Sequence, residues 1–172
     1  MMLETKRLIM RPFQIEDAPS LFKLNSDPDV MKYTGDIYFK SIEETREKIS
    51  EYDQYKKYKM GRFSTIRKKD GAYLGWCGLK LGEDNLVDLG YRFMKEYWGL
   101  GYATESSQAS LKYGFMDLQI DEIVARAMPE NTASIKVMEK LGMHHRGQYY
   151  DEGILVESYF LSRDEYVSKY IQ

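Results

Sequence analysis

The sequence has little cysteine, histidine or proline: one cysteine, Cys77, two histidines and four prolines among 172 residues. One cysteine cannot form an internal disulfide, and this favours a reducing compartment. The two histidines are adjacent and lack a spaced Cys or His partner, so we expect no metal site. No run is apolar enough for a membrane span, and Glu4, Lys6 and Arg7 occupy the region where a signal peptide is apolar. These absences together predict a cytoplasmic protein with no membrane partner.

The chain is slightly acidic, with a formal net charge of −2, and its length suits one domain. A general nucleic-acid-binding protein needs a basic face, so nucleic acid is not an expected partner. No repeat, low-complexity run or proline-rich linker divides the sequence, and we expect a single domain over residues 1–172. Cys77 lies in a buried-strand pattern at residues 74–79, which favours a packed thiol over a nucleophile.

Hydrophobic periodicity and turn residues predict seven strands and five helices. The strands are expected over residues 7–13, 62–67, 72–81, 86–94, 122–127, 143–150 and 155–162. The helices are expected after an Asp17 N-cap, from a Ser41 N-cap with Glu44 to about Tyr58, over 103–118, after Asn131, and from about Arg163. This order mixes hairpins with crossovers, and it predicts an α+β fold with a mixed, mostly antiparallel central sheet of about seven strands flanked by helices.

A glycine pair lies in the most informative segment, residues 97–105, between a predicted strand and a predicted helix. Gly99 and Gly101 lack side chains, so a ligand can approach the backbone closely. A glycine-rich turn that opens a helix also directs free N–H groups and the positive end of the helix dipole to one point, which suits phosphate. Thr104 stands where a dinucleotide fingerprint has its third glycine, and no Gly-Lys-Ser/Thr follows. The glycine pair alone is also compatible with an ordinary strand-to-helix turn.

A second segment, residues 122–143, reads as strand, turn and short capped helix. Asn131 suits a helix N-cap, because its side chain can accept from an N–H two or three residues further on. Gly142 suits the position just after a helix, and Met143 is the apolar residue that often follows it. Ser134 lies three residues after Asn131, on the same face of the predicted helix.

Taken in order, these motifs resemble the GNAT N-acetyltransferase superfamily, and within it the Rim-type branch of ribosomal-protein N-terminal acetyltransferases. The matching residues are 89–91, 97–105, 131–134 and 140–143, together with residues 3–13 and 27–30 near the N-terminus. The resemblance therefore covers nearly the whole chain. The broader family begins its phosphate loop with Gln or Arg, whereas this chain has Trp98, as the Rim-type branch often does.

The resemblance implies acetyl-CoA as co-substrate and a sheet that splays after its fourth predicted strand to admit it. By the same resemblance, the pyrophosphate is held by the backbone of the loop, and the pantetheine arm pairs with the end of the strand and contacts Asn131. The implied cofactor-binding residues are Phe93, Met94, Gly99, Leu100, Gly101, Tyr102, Ala103, Thr104, Asn131 and Ser134. For Asn131, capping alone is the alternative role.

Four residues are candidates for the chemistry that the resemblance implies. Ser134 matches a serine that donates a hydrogen bond to the departing thiolate, or else serves only as a second capping hydroxyl. Asp88, or Asp151 and Glu152 in the loop before the last strand, is a candidate base that deprotonates the amine. An exposed amino terminus is already partly neutral near pH 8, so a dedicated base is not required.

The sequence thus predicts an N-acetyltransferase, acting as a monomer or homodimer by direct attack in a ternary complex. The expected acceptor is a protein N-terminus or a small amine. A non-catalytic module that binds and senses acyl-CoA is the alternative, and Ser134 discriminates between the two because a binding module does not need it. A nucleotide-binding α/β domain is disfavoured by the absent fingerprints.

Overall fold

A computed structural model describes residues 1–171 of the chain. The strands are β1 (Leu3–Glu4), β2 (Leu8–Arg11), β3 (Arg62–Arg67), β4 (Tyr73–Leu81), β5 (Val87–Phe93), β6 (Glu122–Ala127), β7 (His144–Asp151) and β8 (Ile154–Ser162). The α-helices are α1 (Ala18–Leu24), α2 (Pro28–Met31), α3 (Ile42–Glu51), α4 (Gln54–Tyr58), α5 (Tyr102–Lys112), α6 (Thr132–Lys140) and α7 (Arg163–Tyr170). Within residues 1–171, no helix has both the length and the apolarity that crossing a membrane requires.

The eight strands form one sheet in the order β1-β2-β3-β4-β5-β6-β8-β7. Every neighbouring pair is antiparallel except β5 and β6, which run parallel and are paired only at Val87↔Ile123 and Asp88↔Val124. Beyond Asp88 the two strands separate, and this opens a cleft at the predicted place. The predicted α+β class and mostly antiparallel sheet are therefore confirmed. The eighth strand, β1, is two residues long, which is too short to produce a hydrophobic pattern.

Helices cover both faces of the sheet and bury two apolar clusters. The larger cluster joins the inner side chains of β3–β6 to α5, α6 and α7, and it includes Cys77, Leu89 and Phe93. The smaller cluster joins α1, α2 and α3 to Met94, with Trp76 packed against it. Successive side chains of a strand point to opposite faces, so Trp76 and Cys77 assign these clusters to the two faces of β4.

Two predicted helices are shorter than expected, and in each case a tertiary contact explains the difference. The helix that begins at the confirmed Ser41 N-cap ends at Glu51, before Tyr52 adopts an extended ψ of 104°. The hydroxyl of Tyr52 accepts from the Arg62 N–H, and the hydroxyl of Tyr55 donates to the Arg62 carbonyl. These bonds tie residues 52–55 to β3 and divide the predicted helix into α3 and α4.

The helix predicted over 103–118 remains α-helical only to Lys112 and continues as a π-helical turn, Tyr113–Asp117. In this turn, a Cβ on Gly114 would lie 2.7 Å from Leu79 Cδ1 and 2.8 Å from Ile123 Cδ1. The turn therefore presses its backbone against the sheet, which a periodicity of apolar residues does not reveal.

Asp17 begins α1, as predicted, but its side chain does not cap that helix. The carboxylate is buried, where it accepts from both terminal nitrogens of Arg11, at 2.7 and 2.8 Å, and from Ser64 Oγ at 2.7 Å. The predicted capping bond was wrong because an ion pair to β2 competes for the same oxygens.

Candidate active site

The glycine loop connects the end of β5 to the start of α5 through a short 3-10 turn, Lys95–Tyr97. Gly99 and Gly101 have φ angles of +71° and +83°, a left-handed conformation that other residues adopt only with strain. The first backbone bond of α5 runs from the Glu105 N–H to the Gly101 carbonyl. The N–H groups of residues 102–104 precede that bond and therefore extend from the helix end. The loop has the geometry of an anion-binding helix N-terminus.

Arg7, at the start of β2, anchors this loop. Its Nη1 donates to the Leu100 carbonyl at 3.0 Å, and its Nε donates to Glu105 at 2.6 Å. In a trans peptide the C=O and the following N–H point in opposite directions. Because Arg7 holds the Leu100 carbonyl, the N–H of Gly101 is directed away from the guanidinium. Sequence reasoning missed this role, since Arg7 and Glu105 are 98 residues apart.

The Glu105 carboxylate, in the first turn of α5, also accepts from Thr5 Oγ1 at 2.6 Å and from the Arg7 N–H at 2.9 Å. Burial alone would raise the pKa of Glu105, but these hydrogen bonds and the Arg7 charge outweigh it and hold the pKa below its ordinary value. The Arg7–Glu105 pair thus joins the N-terminal strands to the loop and neutralises an acid close to the anion-binding helix end.

At the end of β5, one backbone N–H group faces the cleft and is free to bind a ligand. The Met94 N–H donates to the Leu74 carbonyl, and the Met94 carbonyl accepts from the Tyr97 N–H, both at 2.9 Å. Backbone groups alternate along a strand, so those of Phe93 face away from β4. The Phe93 carbonyl accepts from the Trp98 indole N–H at 2.8 Å. Of the two residues predicted to pair with a pantetheine arm, only Phe93 therefore presents a backbone group, its N–H, to the cleft.

Helix α6 has the predicted caps at both ends. Asn131 Oδ1 accepts from the Ser134 N–H at 3.2 Å, which confirms its capping role. Gly142 follows the helix with φ +79°, and the Met143 N–H bonds to the Met138 carbonyl at 3.1 Å. The cap uses the side-chain oxygen of Asn131 and leaves its NH₂ group available as a donor, so capping and ligand contact are compatible at this residue.

Ser134 is brought to the cleft together with a residue that sequence reasoning did not single out, Tyr91. The Tyr91 hydroxyl lies 2.8 Å from the Ser134 carbonyl and 2.9 Å from Ser134 Oγ. Ser134 lies 43 residues from Tyr91, on α6, so a sequence pattern could not identify this contact.

The candidate bases do not lie together. Asp88 is one-fifth exposed on β5, and its Oδ2 accepts from Arg62 Nη2 at 2.5 Å, so only Oδ1 is available for an amine or a water. Glu152 occupies the exposed β7–β8 turn with φ +48°, and its side chain makes no hydrogen bond or ion pair with the described residues. Asp151, beside it, lies 3.9 Å from Arg126 Nη1. In the structure, Ser134 contacts Tyr91, and Asp88 is hydrogen-bonded to Arg62.

The face of β4 and β5 opposite α5 carries paired charges around an indole. The guanidinium carbons of Arg62 and Arg92 lie 5.3 and 5.1 Å from the ring centre of Trp76. Arg92 donates to Asn25 Oδ1 at 2.8 Å and also pairs with Asp36. Cation–π stacking and ion pairing of this kind make the wall beside Asp88 polar and rigid.

Cys77 is fully buried, and its sulfur lies 3.6 and 3.7 Å from the hydroxyl oxygens of Ser107 and Ser110. Burial raises the pKa of the thiol and disfavours the thiolate that a nucleophile requires. Among residues 1–171 no group of three or more His, Cys, Asp or Glu side chains is placed to hold a metal ion.

Comparison with known proteins shows which family and which solved structures this chain resembles. The family described as acetyltransferase (GNAT) domain matches residues 7–144. The uncharacterized N-acetyltransferase p20 of Bacillus licheniformis is 33% identical over 167 residues, covering 93% of this chain and 94% of the relative. A GNAT-family acetyltransferase from Bacillus anthracis superposes with a TM-score of 0.84 at 30% identity, covering 96% of this chain and 100% of that one. A spermidine N-acetyltransferase from Vibrio cholerae, in complex with CoA and spermine, has the same fold, with a TM-score of 0.80, 18% identity, and coverage of 95% and 99%.

Proposed function

The chain belongs to the GNAT acetyltransferase family, and we propose that it transfers an acetyl group from acetyl-CoA directly to a primary amine, as a member of the Rim-type branch. The observation that carries this proposal is the glycine loop, in which two left-handed glycines open α5 and Arg7 holds the Leu100 carbonyl. The residues present fit a pyrophosphate, because the free N–H groups of residues 102–104 and the helix dipole favour an anion at that point.

The thioester supplies the activated acetyl group, and the residues of the cleft align it and stabilise the charges that develop. The tetrahedral carbon forms when a neutral amine attacks, and the C–S bond then breaks to release a thiolate. Ser134 is the hydroxyl proposed beside the sulfur, where its donation stabilises the thiolate. Phe93 and Asn131 supply the donors proposed for the pantetheine arm. Alignment of two bound substrates accounts for much of such a rate without a covalent enzyme intermediate.

Asp88 is the better placed of the two predicted bases, because it lies on β5 at the point where the cleft opens. Its carboxylate keeps Oδ1 available while Arg62 holds Oδ2. Glu152 is exposed in the β7–β8 turn and has no partner among the described residues that would hold it towards the cleft. An α-amino acceptor has a pKa near 8 and loses its proton to water readily, so the base contributes less for an N-terminal amine than for a more basic one.

The test is acetyl-CoA-dependent thiol release across a panel of N-terminal peptides, polyamines and other small amines. The panel includes polyamines because the V. cholerae structure of the same fold was solved with spermine. We expect thiol release that depends on at least one acceptor, with formation of the acetylated amine in equal amount. Tight acetyl-CoA binding without turnover of any acceptor would instead favour the sensing module, for which Ser134 has no chemical use.

Arg7→Ala tests the anchoring of the loop. The change removes the donor to the Leu100 carbonyl and leaves the Glu105 charge uncompensated near the phosphate site. We expect the Kd for acetyl-CoA to rise roughly tenfold, the value of about one such hydrogen bond at its upper range, with kcat at saturation nearly unchanged.

The matched control for that experiment is Arg46→Ala, which removes an exposed arginine of α3 paired only with Glu43. This control should leave the Kd at the wild-type value, because exposed helix pairs contribute little. An Arg7 variant that binds acetyl-CoA normally while remaining folded would contradict the anchoring role.

A further inference from the structure

We propose that Tyr91 is a positioning residue for the transfer step, whose hydroxyl fixes the Ser134 side chain so that the serine can donate to the departing sulfur. This inference rests on the proposed function, since it takes Ser134 as the group beside the sulfur. It goes further by assigning a role to a strand residue that does not itself reach the reacting atoms.

Tyr91 spans the cleft at the point where the sheet divides. The last paired residues of β5 and β6 are Asp88 and Val124, and Tyr91 is three residues further along β5. From there its hydroxyl reaches the first turn of α6, on the other side of the cleft, and contacts both Ser134 oxygens at 2.8 and 2.9 Å. The contact therefore connects β5 to α6 across the cleft and sets the position of Ser134 relative to β5.

The hydroxyl protons allow two arrangements of this contact. The Ser134 carbonyl can only accept, whereas both hydroxyls can donate and accept. In one arrangement Tyr91 donates to the carbonyl and accepts from Ser134 Oγ, so the serine proton is held. In the other, Tyr91 turns its one proton from the carbonyl to Ser134 Oγ and gives up the bond to the carbonyl, and the serine proton is free for an acceptor in the cleft. The second arrangement links the tyrosine hydroxyl, the serine hydroxyl and the sulfur by two successive hydrogen bonds, and each hydrogen bond strengthens the next.

Because the tyrosine hydroxyl is less acidic than a thiol, these hydrogen bonds stabilise the charge of the thiolate and do not deliver a proton to it. Burial raises the pKa of Tyr91 above its ordinary value of about 10, and the titratable groups near it are Cys77 and Asp88. An ordinary thiol has a pKa of about 8.5, so a thiolate does not take the tyrosine proton. As the C–N bond forms and the C–S bond breaks, the amine loses its proton to water or a base. The thiolate leaves while hydrogen-bonded to Ser134 and then takes a proton from solvent.

The test is a double-mutant cycle of Tyr91→Phe and Ser134→Ala, with kcat and the Kd for acetyl-CoA measured for each variant. We expect Tyr91→Phe to lower kcat roughly three- to tenfold, the factor that one intramolecular hydrogen bond is worth, with the Kd within about twofold of wild type. In the Ser134→Ala background the same change should have no further effect on kcat, because Tyr91 acts through the serine.

Tyr166→Phe is the matched control, because it removes a buried tyrosine hydroxyl from the same apolar cluster at α7, and it should leave kcat unchanged. A slow Ser134→Ala variant combined with a normal Tyr91→Phe variant, or with additive effects, would overturn the positioning role alone. A Ser134→Ala variant with normal kcat would overturn the Ser134 assignment on which the inference rests.

The pH dependence of kcat separates donation from acid catalysis. Wild type and Tyr91→Phe should have parallel profiles between about pH 7 and pH 9, because burial holds the pKa of Tyr91 above its ordinary value of about 10 and the tyrosine stays protonated there. A fall in wild-type kcat at high pH that disappears in Tyr91→Phe would show that the tyrosine supplies a proton, and would overturn the role as proposed.

Discussion

Gly101→Glu should abolish measurable acetyl-CoA binding, with the Kd raised at least about a hundredfold, which corresponds to roughly 2.7 kcal/mol. Gly101 has φ +83° and stands at the N-cap of α5, where the free N–H groups converge. A glutamate there adds a negative charge close to the proposed phosphate site, and its Cβ would lie 3.4 Å from Arg7 Nη2, so it also disturbs the arginine that anchors the loop. Isothermal titration calorimetry with acetyl-CoA measures the loss directly.

Backbone strain accompanies that substitution, because a left-handed residue other than glycine costs about 1–2 kcal/mol. Gly71→Glu is the matched control: Gly71 has φ +71° in the β3–β4 turn, with no atom within 4 Å of its added Cβ. It should show comparable strain with normal acetyl-CoA affinity. Gly101→Ala adds a graded test, since it introduces the strain without the charge. A folded Gly101→Glu variant with unchanged affinity would contradict the proposed site.

Ser134→Ala should lower kcat by roughly ten- to a thousandfold while the Kd for acetyl-CoA stays near the wild-type value, as expected for the loss of one transition-state donor. The helix cap survives the change, because Asn131 accepts from the Ser134 backbone N–H and not from the hydroxyl. The measurements are steady-state kcat and calorimetric Kd.

Ser50→Ala is the control for that variant, since Ser50 bonds only to the Glu47 carbonyl on the exposed side of α3. It should leave both quantities unchanged. Normal kcat in Ser134→Ala would contradict the proposed role beside the sulfur and return Ser134 to a capping role.

Local patterns in the sequence predicted the parts of the fold and site that depend on neighbouring residues. The glycine spacing at 99 and 101 predicted the turn into α5, and the Asn131 and Gly142 spacing predicted both ends of α6. Hydrophobic periodicity predicted a strand over 86–94, where β5 lies. In each case the physical cause is local: a positive φ, a side-chain cap or a two-residue period.

The remaining features depend on contacts between distant residues. Asp17 was expected to cap α1, but Arg11 and Ser64 bind its carboxylate. Asp88 was considered as a candidate base, and Arg62 occupies one of its oxygens. In both cases an arginine from another element of the fold, Arg11 of β2 or Arg62 of β3, decides which oxygens stay available.

The contacts that hold the site residues in place could not be predicted from the sequence for the same reason. The Arg7–Glu105 anchor and the Tyr91–Ser134 contact each join strands to helices across 43 or more residues. Such pairs leave no periodic signal in one sequence, because only the folded sheet brings their elements together.

The initial rate of CoA release, measured while acetyl-CoA and the amine are both varied, tests the account most directly. Direct attack requires both substrates to be bound together, so double-reciprocal plots should intersect, and no acetylated enzyme should be found without the acceptor. Cys77→Ala should then cost some stability but little activity, because the thiol is buried against Ser107 and Ser110. Parallel lines, together with an acetylated Cys77 trapped in the absence of amine, would contradict direct transfer and show a covalent intermediate instead.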